Sequence, residues 1–151
     1  MSFQIKRTTA SDEDFRFLVS LLDKELWDEL KEDQATYDPH NKVDHIETVV
    51  VVYDGIQPVA CGCFKNFDET TVEIKRMFVQ KNYRGKGLSK LVLQTLEQWA
   101  AELGYRSSVL ETSVHFATAC GLYRSKGYRD IPKYGPYVGL EDSVCMGKDF
   151  I

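Results

Sequence analysis

The sequence predicts an α+β fold: a mixed, mostly antiparallel sheet of about six to seven strands, with a parallel pair at the centre and helices on both faces. Three observations carry this. Three β-rich segments between residues 47 and 79 follow one another with short turns, as in an antiparallel meander. A long amphipathic segment then leads to a further strand, and strands joined by a helical crossover run parallel. Beyond it come a shorter helix and two last strands. The 151 residues suit one domain, 1–151, large enough to bury a core.

Each element has a local cause. Phe3 to Arg7 alternates apolar and polar, as a short strand would. Ser11, with Asp14 three residues on, resembles a capping box. Behind it Phe15, Leu18, Val19, Leu22, Leu26 and Leu30 keep helical spacing. Residues 33–44 carry Pro39, His40 and Asn41 and read as a loop with room for a short helical turn. Glu47 to Tyr53 is the first meander strand, closed by Asp54-Gly55. Val59 to Phe64 is the second, closed by Asn66-Phe67-Asp68, and Thr71 to Val79 is the third. In the long helix Leu88, Leu91, Val92, Leu96, Trp99 and Leu103 share one face, and Gly104 supplies the stop. Ser107 to Glu111 is the strand it reaches. A helix around Phe116 to Ser125 ends at Gly127, and Tyr128 to Ile131 and Ser143 to Lys148 complete the sheet.

Composition narrows the function. With 43% hydrophobic and 28% charged residues the chain is globular rather than disordered. Met1 to Arg7 lacks the apolar core of a secretory signal. The longest apolar stretch, Thr48 to Tyr53, is too short to cross a bilayer. The expectation is a cytoplasmic protein. A formal net charge of -4 argues against nucleic acid or an anionic membrane as partner. Asp23, Glu25, Asp28, Glu29, Glu32 and Asp33 cluster in one stretch, either a solvated helix face or a rim that attracts a cationic amine. The four cysteines and three histidines show no metal-ligand spacing, so no metal is expected and the thiols read as buried and free.

The chemistry concentrates in Tyr83-Arg84-Gly85-Lys86-Gly87-Leu88-Ser89, a turn between strand and helix. Free backbone N–H groups and the positive helix end meet there. Gly85 and Gly87 remove side chains that would block a close anion, and Arg84 and Lys86 add charge. A phosphate or pyrophosphate is the natural ligand. A P-loop would need a longer glycine-spaced loop and a Ser or Thr after its Lys. A dinucleotide fingerprint would need a third glycine where Lys90 stands, and a βα start rather than a meander ahead of it.

The turn resembles the signature of the GNAT superfamily of N-acetyltransferases, Gln/Arg-x-x-Gly-x-Gly/Ala. Asn82 to Gly87 matches with Asn82 in the first place; Arg84 to Ser89 matches with Ser89 in the last. Val72 to Val79 looks like the superfamily's fourth strand. Ala119-Cys120-Gly121-Leu122-Tyr123-Arg124-Ser125-Lys126-Gly127-Tyr128 is similar to its Ala-x-x-Leu-Tyr-x-x-x-Gly-Phe/Tyr helix, with Phe116 where the family often has Asn. The tail, from Ile131 to Met146, looks like that of small bacterial members.

The resemblance implies a GNAT-like sheet and acetyl-CoA as cosubstrate. Its pyrophosphate would lie on Arg84, Gly85, Lys86, Gly87, Leu88 and Ser89. Backbone groups of Met77, Phe78 and Val79 would hold the pantetheine arm and the acetyl carbonyl, where N–H donors stabilise an oxyanion. Tyr123 matches the position whose hydroxyl often protonates the departing sulfur. Glu73 matches, by strand register, a position that sometimes serves as general base. It lies roughly 13 Å along the strand from Met77 and would work through water; a carboxylate paired with Lys75 or Arg76 is the structural alternative. His115 suits proton transfer at neutral pH, or a surface role. Tyr134 and Tyr137 either wall an acceptor pocket or brace a Gly/Pro turn. The implied reaction acetylates the amine of a small molecule or a peptide N-terminus by direct attack in a ternary complex, in a chain whose relatives are often homodimers. The rival reading is a non-catalytic acyl-CoA-binding regulatory module.

Overall fold

The computed structural model describes residues 2–30 and 45–150. The loop expected over 33–44, and Glu32 and Asp33 of the acidic stretch, lie outside the described residues. The elements are β1 (Phe3–Thr8), α1 (Glu13–Leu30), β2 (Thr48–Asp54), β3 (Gln57–Asn66), β4 (Thr71–Val79), α2 (Leu88–Glu102), β5 (Ser107–Ser113), α3 (Ala117–Ser125), β6 (Arg129–Ile131) and β7 (Ser143–Asp149). Short 3-10 turns occupy Lys81–Tyr83 and Gly135–Tyr137. The strands form one seven-stranded sheet in the order β1-β2-β3-β4-β5-β7-β6. β4 and β5 are its parallel pair, aligned from Thr71↔Ser107 to Ile74↔Leu110. β1–β2, β2–β3, β5–β7 and β6–β7 run antiparallel. The expected mixed sheet with a central parallel pair is the observed one.

Two local expectations are corrected. Asp12, not Ser11, caps α1: its Oδ1 accepts from the N–H groups of Asp14 (2.8 Å) and Phe15 (3.2 Å). A carboxylate there also favours the positive helix end. β3 begins two residues before Val59, running through Pro58. The missing N–H is tolerated because Pro58 stands opposite Tyr53, where the β2–β3 register shifts, and prolines within sheets collect at such irregularities.

The chain divides into two compact units, Met1–Lys65 with Lys75–Leu96, and Asn66–Ile74 with Glu97–Ile151. In the first, strand alternation sends side chains to two faces. Val49 and Val51 of β2, Cys61 and Cys63 of β3 and Phe78 of β4 share a buried cluster with Phe15 and Leu18 of α1. Each such large apolar side chain contributes roughly 1.5–3 kcal/mol by leaving water. Gly62 points to the other face. A Cβ there would stand 2.6 Å from Met77 Sδ, 2.8 Å from Val92 Cγ1 and 3.0 Å from Leu96 Cδ1. Only glycine permits α2 to lie that close, and helices therefore cover both faces of this unit.

In the second unit Leu110 and Met146, partners across β5 and β7, are fully buried. A polar seam runs beside them. Glu97 accepts from the Tyr128 hydroxyl (2.9 Å) and from Lys148 Nζ (3.0 Å), and the Tyr128 hydroxyl also bonds Ser108 Oγ. Buried groups in such a seam are costly unless every member is paired.

Candidate active site

The residues singled out by the sequence fall in both units, and each group is built within its own. In the first unit the strand end comes first. Arg76 is the one non-glycine described residue with a left-handed backbone, at φ 58°. That conformation costs an L-residue roughly 1–2 kcal/mol and redirects the strand before Met77, Phe78 and Val79. Met77 is half-buried; Phe78 and Val79 are each 7% exposed. Arg76 is held from both ends. Its carbonyl accepts from the Cys61 thiol, and its buried guanidinium pairs with Asp23 of α1. Its Nε has no hydrogen-bond partner among the described residues, an arrangement that usually costs 1–3 kcal/mol.

The glycine turn follows. Lys81–Tyr83 makes one 3-10 turn, with the Tyr83 hydroxyl donating to Asp54 Oδ2 at 2.7 Å. Gly85 and Gly87 both take left-handed conformations, φ 80° and 81°. An added Cβ at either would meet nothing within 4 Å, so open space surrounds the backbone and the glycines are there for their torsions. α2 starts at Leu88, and its first bond runs from Leu91 N–H to Gly87 O at 3.1 Å. The N–H groups of Leu88, Ser89 and Lys90 precede that ladder. Lys86 is exposed and Ser89 half-exposed. Leu88, by contrast, is a 3% exposed core residue. A helix start, two exposed side-chain-free positions and an exposed lysine fit a diphosphate.

Arg84 is engaged elsewhere than the sequence suggested. Its Nε donates to Val79 O at 2.9 Å, and its NH2 reaches Glu25 Oε1 and Oε2 at 2.9 and 2.7 Å. The guanidinium also lies 5.8 Å from the Phe78 ring centre. Asp23 and Glu25 of the acidic stretch are thus partners of Arg76 and Arg84, not a bare solvated face. Sequence gave no sign of these pairs, because they join residues far apart in the chain.

In the second unit Tyr123 lies on α3, 7% exposed, its ring edge-on to Tyr128 with centroids 5.8 Å apart. Among the described residues its hydroxyl makes no hydrogen bond. Burial, reinforced by Cys120, pushes its pKa well above the ordinary 10.0, so the phenol stays protonated at neutral pH.

Glu73 of β4 stands opposite Val109 of β5 and is 4% exposed. The Tyr134 hydroxyl donates to its Oε2 at 2.9 Å. Arg76, one of the suggested partners, goes to Asp23 instead. Near this carboxylate the Ser143 hydroxyl donates to Glu111 Oε2 at 2.7 Å. His115 is exposed and lies 3.2 Å from Asp142 Oδ2, which favours its surface role. All four cysteines are buried and free. Among the described residues no three His, Cys, Asp or Glu side chains group as metal ligands, and no helix is long and apolar enough to cross a membrane.

This architecture agrees with known proteins. Residues 10–128 match the model of the acetyltransferase (GNAT) family, and the chain belongs to that family. An IAA acetyltransferase of Azospirillum brasilense is 42% identical over 76 residues, half of this chain and half of that protein. A Klebsiella pneumoniae protein assigned to the acyl-CoA N-acyltransferases superposes with TM-score 0.82 at 26% identity, covering 99% of this chain and 98% of the other. The PaiA N-acetyltransferase of Thermoplasma acidophilum, solved in complex with coenzyme A, shares the fold: TM-score 0.72, 14% identity, 99% and 100% coverage.

Proposed function

We propose that the chain is an acetyl-CoA-dependent N-acetyltransferase that acetylates the amine of a small molecule or a peptide N-terminus by direct attack in a ternary complex. One observation carries the reading: Gly85 and Gly87, both left-handed and open, stand immediately ahead of the first turn of α2 in a chain of the GNAT family. The naming of relatives as acetyltransferases, and the coenzyme A held by PaiA, support it.

The bound thioester supplies an activated acyl carbon. The Gly85–Ser89 amides and Lys86 bind its diphosphate. Backbone N–H groups over Met77–Val79 receive the carbonyl oxygen as negative charge develops. The acceptor enters as an ammonium ion and loses one proton through water to Glu73. Its nitrogen then bonds the acyl carbon, the carbon–sulfur bond breaks, and the nitrogen sheds a second proton. Tyr123 gives its proton to the thiolate and recovers one from that second release. The net products are amide, thiol and one proton to solvent.

Calorimetry with acetyl-CoA tests the first half: micromolar binding is expected, and none at that concentration would overturn the reading. Thiol release across a panel of amines tests the second. Binding without release for any amine would instead mark a non-catalytic acyl-CoA module, a reading that the unengaged Tyr123 hydroxyl disfavours.

A further inference from the structure

Two thiols on one face of β3 reach two successive carbonyls of β4. Cys63 Sγ donates to Lys75 O at 3.3 Å and Cys61 Sγ to Arg76 O at 3.5 Å, and both cysteines are fully buried. In an extended strand successive carbonyls point to opposite edges. Here, at the left-handed Arg76 (φ 58°), the second carbonyl is turned to the same strand as the first. Among the described residues no peptide bond is cis, and the C=O and N–H of a trans peptide are opposed. The Arg76–Met77 peptide therefore turns the Met77 N–H away from β3, and the Lys75–Arg76 peptide does the same for the Arg76 N–H. Successive N–H groups facing one way form a concavity for an oxygen that carries negative charge. The described pairing with β5, on the other side of β4, ends at Ile74↔Leu110, ahead of both groups.

We propose that Cys61 is a positioning residue for the Met77 amide, steadying the turned Arg76–Met77 peptide so that its N–H meets the thioester carbonyl oxygen. This rests on the strand-end amides receiving that oxygen. A left-handed residue other than glycine persists only where its surroundings hold it. The pair with Asp23 holds the Arg76 side chain, but an anchor on the side chain does not set the torsion beyond Cα, on which the direction of the Met77 N–H depends. The thiol acts on that torsion directly, through the carbonyl. A second contact works with it. A Cβ on Gly62 would stand 2.6 Å from Met77 Sδ, so the next residue of β3 leaves the notch that the Met77 side chain fills on the opposite face. Burial raises the Cys61 pKa far above the ordinary 9.0, which keeps the group an S–H donor rather than a thiolate. A thiol is a weak donor, and its task is correspondingly small: it biases one peptide between two orientations and does not carry the bend alone.

Cys61→Thr and Cys61→Val decide the matter. The two new side chains share a β-branched shape that suits a strand and differ in one hydrogen-bond donor. Calorimetry with coenzyme A, which has no acyl carbonyl, is expected to give wild-type affinity for both and so reports an intact cradle. Isotope-edited infrared spectra then compare the thioester carbonyl of acetyl-CoA, bound and free. Wild type should move the band to lower wavenumber, Cys61→Thr should keep that shift, and Cys61→Val should lose most of it. With the best amine of the panel, kcat of Cys61→Val should fall about 10-fold below that of Cys61→Thr, short of the 10²–10³ lost with an oxyanion donor itself. The amide is then misaligned, not removed. A packing role reverses the order. Valine, apolar in an apolar core, would match or exceed threonine in both readouts, and that result overturns the proposal. Where either variant fails to fold, Cys61→Ser and Cys61→Ala repeat the contrast with smaller side chains. A wild-type band left unmoved by binding takes the oxygen away from these amides altogether, and Cys61 falls with that assignment. A shifted wild-type band that no Cys61 variant alters removes Cys61 alone.

Discussion

Arg84 donates from one nitrogen to both carboxylate oxygens of Glu25, at 2.9 and 2.7 Å, and so ties the glycine turn to α1. Both side chains are about two-fifths exposed, 41% and 40%, where an ion pair is worth only about 0–1 kcal/mol. An arriving diphosphate can outbid such a partner. Glu25→Gln frees the guanidinium without shortening the side chain, and should tighten acetyl-CoA binding about 2–5-fold at low salt, with the gain shrinking as salt screens it. Calorimetry at two ionic strengths checks this; weaker binding would mean that Glu25 orients Arg84 rather than competing for it.

Gly87 separates backbone strain from ligand contact. At φ 81° with nothing near its absent Cβ, Gly87→Ala meets no clash and should cost about 1–2 kcal/mol from torsion alone, read as a lowered urea midpoint. Gly87→Glu adds a like charge where the diphosphate is expected and should abolish acetyl-CoA binding in calorimetry. Retained micromolar affinity would place the diphosphate elsewhere.

Tyr123→Phe removes the hydroxyl proposed as proton donor and leaves the ring against Tyr128. The expected result is a kcat lower by about 10²-fold, the low end for a positioned acid, with acetyl-CoA affinity unchanged. An unaltered kcat would remove Tyr123 from the reaction.

The same burial sets the response to alkali. Cys61, Tyr123 and Tyr134 all hold their protons more tightly in the folded chain than their ordinary values of 9.0 and 10.0. Each therefore contributes stability that is fully present below its ordinary pKa and is lost as pH rises, because the unfolded chain ionises first. Tm should be level up to about pH 9 and fall beyond it. Tyr134→Phe and Tyr123→Phe should fall less steeply above pH 10. A wild-type Tm still level at pH 11 would contradict the burial of these groups.

Much of this was legible in the sequence because it is local. Alternation marked β1, β-rich segments between turn residues marked β2 to β4, helical spacing marked α1 and α2, and the paired glycines marked the open turn ahead of the helix. The misses have physical reasons too. Ser11 and Asp12 are both capping residues, and which one caps depends on where the chain leaves β1. β3 starts at Gln57 rather than at Val59, because the register shift opposite Pro58 accommodates a residue without an N–H. Arg76 read as a possible partner of Glu73 and Arg84 as a cation for phosphate, since their carboxylate partners lie 53 and 59 residues away. Tyr134 could be named, but nothing local showed that its hydroxyl belongs to Glu73.

Arg76 is at once the bend in β4 and the buried clasp on Asp23. A glycine at that position would accept the torsion more readily but could not reach the helix. The residue that bends the strand is thus also the one that anchors the helix, so a substitution at Arg76 alters both at once.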